Sequence, residues 1–274
     1  MFSVGHLIFI LLSAIAVVMG AGFCLIRRPS TEQVLKSCLI LCVLSEIVKF
    51  FSEIRILPMV RPVVSTESGE AILTYVPTGQ YTPYLEIAHL PFELCSLMIL
   101  FISLTFFIKK PEWKEKLYTL MYITGTVGGI LGILLAYITS VYDTTAQYLT
   151  SPRIWQYFAF HAMLLVLGFY LGFVRKNSIS GADFKDVILM LIALDIPTFF
   201  LNSLLSQPVY TEGKPTGIVY RANFFSSYAN PLGLPLTEKW QWMAYLCVRF
   251  GMALLVVRGL LMLPGIIRKM RKEI

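Results

Sequence analysis

Over 274 residues the chain is 57% hydrophobic and 14% charged, with a mean hydropathy of +0.71 and a net charge of +7. That balance excludes a soluble domain and reads as a multi-pass membrane protein. Most basic residues sit in short connections beside apolar stretches, which is an orientation signal and not a nucleic-acid surface.

Windows long enough to cross about 30 Å of hydrocarbon predict an all-α helix bundle, a single integral membrane domain over residues 1–274 with seven spans. The expected spans are 4–26, 35–57, 86–108, 117–140, 154–174, 187–206 and 240–263. Span 1 lacks a basic leader and a cleavage signal, so it is expected to be retained. Cys24, Cys38, Cys42, Cys95 and Cys247 lie in or beside apolar runs and read as free thiols. In span 2, Glu46, Lys49 and Glu53 follow i, i+3, i+7 spacing, which places them on one helix face. The loop 58–85, rich in Tyr, Pro and Gly, is expected to be partly ordered at the interface.

Span 3 opens with His89, Glu93 and Cys95, and span 4 carries Gly125, Gly128, Gly129 and Gly132, a small-xxx-small pattern for close helix packing. Span 5 holds His161. Asp195-Ile196-Pro197 in span 6 suggests a broken helix, and Asn202 follows it. In the loop 207–239, Glu212–Gly217 lacks the first glycine and the context of a phosphate loop, and Asn223 follows. Span 7 holds Arg249. Counting Lys and Arg over alternate connections gives fourteen on one side and five, including Arg153, on the other. The N-terminus is therefore expected outside and the C-terminus in the cytoplasm, with the cell membrane as location.

Ionisable groups inside hydrocarbon cost about 2.5–3.5 kcal/mol each on insertion scales, so they mark function or pairing. At about 1.5 Å per residue, those of five spans fall in the outer half of the bilayer, which predicts a polar chamber open to that side. Four acids, Glu46, Glu53, Glu93 and Asp195, face only Lys49 and Arg249 within the spans, leaving two charges uncompensated. Cys95 and His161 are the pair with chemical potential, because an imidazole can take a thiol proton and an acyl group can move onto the sulfur. Taken singly, each also reads as an ordinary packed residue. On an ideal helix Cys95 points about 200° away from Glu93, and Ser96 suits the His89/Glu93 face better.

Leu90-Pro91-Phe92-Glu93-Leu94-Cys95-Ser96 resembles the Leu-Pro-(apolar)-(His or Gln)-Leu-Cys signature of the YwaF-like family of integral membrane proteins. His161-Ala-Met-Leu-Leu-Val-Leu-Gly is similar to the family's His-containing helix, and Asn223-Phe-Phe-Ser-Ser-Tyr-Ala-Asn-Pro to its outer loop. The likeness runs over most of residues 35–263. It extends distantly to mammalian multi-pass lipid acyltransferases, and implies that Cys95 carries an acyl group with His161 as base. Glu93 departs from the pattern, standing where relatives have His or Gln.

The enzyme reading is acyl transfer or lipid-ester hydrolysis, with Asn202 or Asn223 as oxyanion donor and Arg249 or Lys49 on a phosphate. A transporter or small-molecule binding protein would use the buried acids of the same chamber. A non-catalytic scaffold would use the charges to hold helices together. Membrane lipids are the expected partners, protein partners are undetermined, and neither nucleic acid, metal nor cofactor is expected.

Overall fold

The computed structural model describes residues 3–67, 70–86, 89–90, 93–136, 144–175, 179–211, 214–220 and 234–273. Ser3 caps α1 (Val4–Arg27) through a bond from the His6 amide, and a reciprocal Ser30/Gln33 capping box starts α2 (Thr31–Glu53). The box moves this helix four residues toward the N-terminus relative to the expected 35–57. Glu53 thus becomes the last residue of α2 instead of a group inside a span.

The chain then forms an antiparallel hairpin, β1 (Arg55–Glu67) and β2 (Glu70–Tyr84), in register from Arg55 opposite Tyr84, with a bulge between Pro58 and Val60. A second hairpin, β3 (Gln207–Thr211) and β4 (Lys214–Tyr220), lies near the other long connection. The all-α expectation is corrected accordingly: the bundle is helical, and the long connections hold β-hairpins. Val, Ile, Thr and Tyr dominate these segments, the composition that suits extended strands.

A second correction concerns the third span. Residues 94–97 form a turn, and α3 covers only Met98–Phe107, where a helix over 86–108 is expected. At 10 residues α3 reaches about 15 Å, half of the hydrocarbon thickness.

The rest follows as α4 (Pro111–Leu134), α5 (Thr145–Thr150), α6 (Pro152–Phe169, extended by a π turn over Tyr170–Val174), α7 (Phe184–Leu205) and α8 (Lys239–Glu273). Five segments, Val4–Arg27, Pro111–Leu134, Pro152–Val174, Gly181–Leu205 and Lys239–Met270, are long and apolar enough to cross a membrane. The protein is a multi-pass helical membrane protein. α2 has the length, 23 residues, but carries the charged face described above.

α4 and α6 make the central contact. An added Cβ at Gly125 would stand 3.0 Å from the Leu164 carbonyl, and one at Gly129 would stand 2.6 Å from Leu165. Only glycine allows these backbones to approach so closely, as the small-residue pattern predicts. Around this seam a core of Met98, Phe101, Leu120, Met121, Tyr122 and Leu164 is sealed from the surroundings. Arg175, at the far end of α6, pairs with Glu115 and stacks 4.4 Å above Tyr118. α8 joins through its middle and far end: Val257 and Leu261 are buried, and Tyr122 donates to the Leu260 carbonyl at 2.9 Å.

Pro197 stays inside α7, which runs unbroken from Phe184 to Leu205. The broken-helix expectation fails there. Beside Pro197, Thr198 donates its hydroxyl to the Asp195 carbonyl at 2.6 Å.

Candidate functional site

Where α2, α6 and the turn before α3 meet, two neighbouring sets of polar contacts form at the hairpin end of α2. Lys49 pairs with Glu46 at 2.5 Å, one helical turn apart, and Ser96 donates its hydroxyl to the other Glu46 oxygen at 3.2 Å. Lys49 is buried, so its ammonium is held by this carboxylate out of bulk water. Arg153, in the first turn of α6, donates from Nε to Glu53 at 2.9 Å. Its guanidinium also bonds Gln156, whose amide reaches the Ser45 hydroxyl at 2.5 Å. His89 stands 3.3 Å from the second Glu53 oxygen and 4.0 Å from Glu86, which in turn meets Arg55 at 3.2 Å.

Arg153 was expected as a loop charge that orients the protein. It instead supplies a counter-cation for Glu53, which corrects the charge count within the cluster: Glu46 has Lys49, and Glu53 has Arg153. Arg153 is only 13% exposed in its side chain: α6 starts at Pro152, two residues before the expected 154, and so includes Arg153 in its first turn. Ser45, Glu86, Gln156 and Tyr157 also escaped sequence reasoning. The signal available was helical phase, since Arg153, Gln156 and Tyr157 lie at i, i+3, i+4 on the face that includes Phe160 and His161.

Cys95 and His161 both border one face of α4. The Cys95 Cβ lies 4.0 Å from where a Cβ on Gly128 would be, and the His161 ring occupies the space a Cβ on Gly132 would need. Gly128 and Gly132 are i and i+4, stacked one above the other, so the thiol-bearing and imidazole-bearing elements meet the same strip of α4 about one turn apart. His161 is 4% exposed and packs at 4.2 Å between ring centroids against Tyr157. Its Nδ1 is 2.8 Å from the Tyr157 carbonyl. A carbonyl only accepts, so Nδ1 carries a hydrogen and the neutral ring keeps its lone pair on Nε2.

Residues 94–97 are not an ideal helix, and neighbouring side chains diverge: Ser96 toward Glu46 on α2, Cys95 toward Gly128 on α4. Cys95 stands before the start of α3, its carbonyl accepting the Met98 amide at 3.2 Å, and not in mid-helix as the span 86–108 requires. Glu93 is half-buried in the same segment, and its carbonyl accepts the Leu97 amide at 3.0 Å.

The remaining candidates lie on other elements. Asp195 and Arg249 face each other across α7 and α8 at 3.9 Å, with side chains 37% and 29% exposed. Asn202 is fully buried on α7, its carbonyl bonded by the Ser206 hydroxyl at 2.6 Å. Asn223 lies outside the described residues. Of the groups expected in one chamber, Glu46 and Glu53 thus meet partners from α6 and the segment before α3, and Asp195 and Arg249 meet across α7 and α8. Among the described residues, no group of three or more His, Cys, Asp or Glu side chains is placed to hold a metal ion.

A model of the TMEM164 family matches residues 1–262 of the chain. No curated protein and no solved structure matches it.

Proposed function

The chain belongs to the TMEM164 family, a family of membrane proteins, and from that premise we propose that it moves or releases acyl groups of lipid esters by way of a Cys95 thioester. The observation that carries this reading is the shared strip of α4, where Gly128 and Gly132 admit Cys95 and His161 one turn apart. The likeness of Leu90–Ser96 to the YwaF-like signature supports the same pair.

His161 is oriented by its Nδ1–H bond to Tyr157, so Nε2 is the atom available to accept a proton. In the reaction, Nε2 takes the thiol proton and the sulfur attacks the ester carbonyl. The tetrahedral adduct collapses to a Cys95 thioester as the alcohol leaves with the proton from Nε2. A second hydroxyl, from lipid or water, then gives its proton to Nε2 and attacks the thioester. The new ester or free acid departs, and the thiolate recovers its proton. Acyl transfer and hydrolysis differ only in that second acceptor.

The same reading places seven crossings in the cell membrane, with the hairpins outside and the basic connections in the cytoplasm, so that the cluster opens to the outer leaflet and its lipids. α3 crosses together with the segment before it. This reading is preferred to transport because α7 continues through Pro197 and Asp195 faces Arg249.

The test is direct. Purified protein in micelles is incubated with phospholipids bearing alkyne-tagged acyl chains, and hydroxylamine-labile label is located by mass spectrometry. The expected result is label on Cys95 that disappears in Cys95→Ala and is reduced at least tenfold in His161→Ala. Label of unchanged amount in Cys95→Ala overturns the proposal.

A further inference from the structure

Two adjacent residues of α2 hold the two elements that carry the thiol and the imidazole. Ser45 accepts the Gln156 amide of α6 at 2.5 Å, five residues before His161. Glu46 accepts the Ser96 hydroxyl at 3.2 Å, one residue after Cys95. Consecutive helical positions differ by about 100°, so the pair grips partners on two sides of α2 without competing for one direction.

Each grip is braced. Lys49 fixes the Glu46 carboxylate at 2.5 Å, and Glu53, two turns from Ser45, holds Arg153, which also bonds Gln156. α6 is thus attached to α2 at two points eight residues apart, which fixes both its rotation and its height. The turn before α3 is held within itself by the Leu97 amide on the Glu93 carbonyl and the Met98 amide on the Cys95 carbonyl, and the Ser96 bond ties it to α2.

We infer that Ser45 and Glu46 are positioning residues, a clamp on α2 that sets the approach of Cys95 to His161 across the glycine strip of α4. Neither touches the reacting atoms. Glu46 acts through Ser96, and Ser45 through Gln156. The inference rests on the Cys95/His161 reading. It deepens that reading by assigning a role to the charged face of α2, which otherwise reads only as helix-to-helix adhesion.

The experiment measures the alkylation rate of Cys95 by N-ethylmaleimide in the full-length protein, read from the mass of its peptide. Variants are compared in wild-type and His161→Ala backgrounds. With the clamp intact, His161→Ala slows alkylation several-fold. Ser96→Ala, Glu46→Ala and Ser45→Ala produce a similar slowing in the wild-type background and no further change with His161→Ala, the non-additivity expected of groups acting through one another. Glu46→Gln and Ser96→Thr, which keep the hydrogen bond, restore most of the rate and keep the test open if an alanine variant fails to fold.

Clamp variants that alkylate at the wild-type rate overturn the inference while leaving the pair intact. Equal changes in both backgrounds also overturn it, because they report general loosening. If His161→Ala itself leaves the rate unchanged, the Cys/His reading fails and the clamp falls with it.

Discussion

Glycines of α4 and of α8 share a residue type and nothing else. On α4, Gly125, Gly128, Gly129 and Gly132 each meet α6, the turn before α3 or α3 itself within about van der Waals distance. On α8, Gly251, Gly259 and Gly265 meet nothing within 4 Å. The two arginine–carboxylate pairs repeat the contrast: Arg153 bonds Glu53 at 2.9 Å with 13% exposure, whereas Arg249 stands 3.9 Å from Asp195 with 29%. A small residue or a charge in a membrane helix marks a site only where a second element closes on it.

The sharpest way to break this contrast is Arg153→Met, which takes the guanidinium from Glu53 and leaves it only His89 in the cluster. It should lower stability by about 3–5 kcal/mol, read by unfolding in micelles. Gly132→Ala comes next, at about 1–3 kcal/mol, since the new methyl must displace the His161 ring. It should also reduce Cys95 labelling, and unchanged labelling would show that the ring does not act from that place.

Gly259→Ala should instead raise stability, by about 1 kcal/mol, because α8 has open space there and gains helix propensity. A loss would mean that a further partner packs on that face. The smallest effect is expected for Arg249→Met, about 0.2–1 kcal/mol, given its long and partly exposed contact. A larger loss would move this pair into the same class as Arg153 and Glu53.

Several features were legible in advance from particular residues. Hydropathy locates α1 and α6 within about two residues, because both are uninterrupted apolar runs with clear starts at Ser3 and at Ser151-Pro152. The i, i+3, i+7 charges of span 2 do share a face, and Glu46 does pair with Lys49. Ser30 and Gln33 spell a capping box that would have corrected the start of α2, but a hydropathy window averages across it.

Other features were not legible for physical reasons. Arg153 lies outside the apolar run, so its inward direction depends on where α2 ends beside it. The length of α3 depends on how residues 94–97 bond, a balance that local propensity leaves undecided. Depth along a helix carries no information about azimuth, so it left undecided which of the expected chamber groups meet one another.

By itself the sequence determined that this chain lives in a membrane, which apolar runs interrupt its continuity with charge, and which residues have chemical capacity, because those properties follow from composition and length. Only the tertiary structure decided that Cys95 leaves its helix before the first turn, that His161 is held in one tautomer, and that both meet the glycine strip of α4 while α2 grips their two elements. Those decisions depend on distances and bond directions between segments far apart in the chain, which periodicity does not encode.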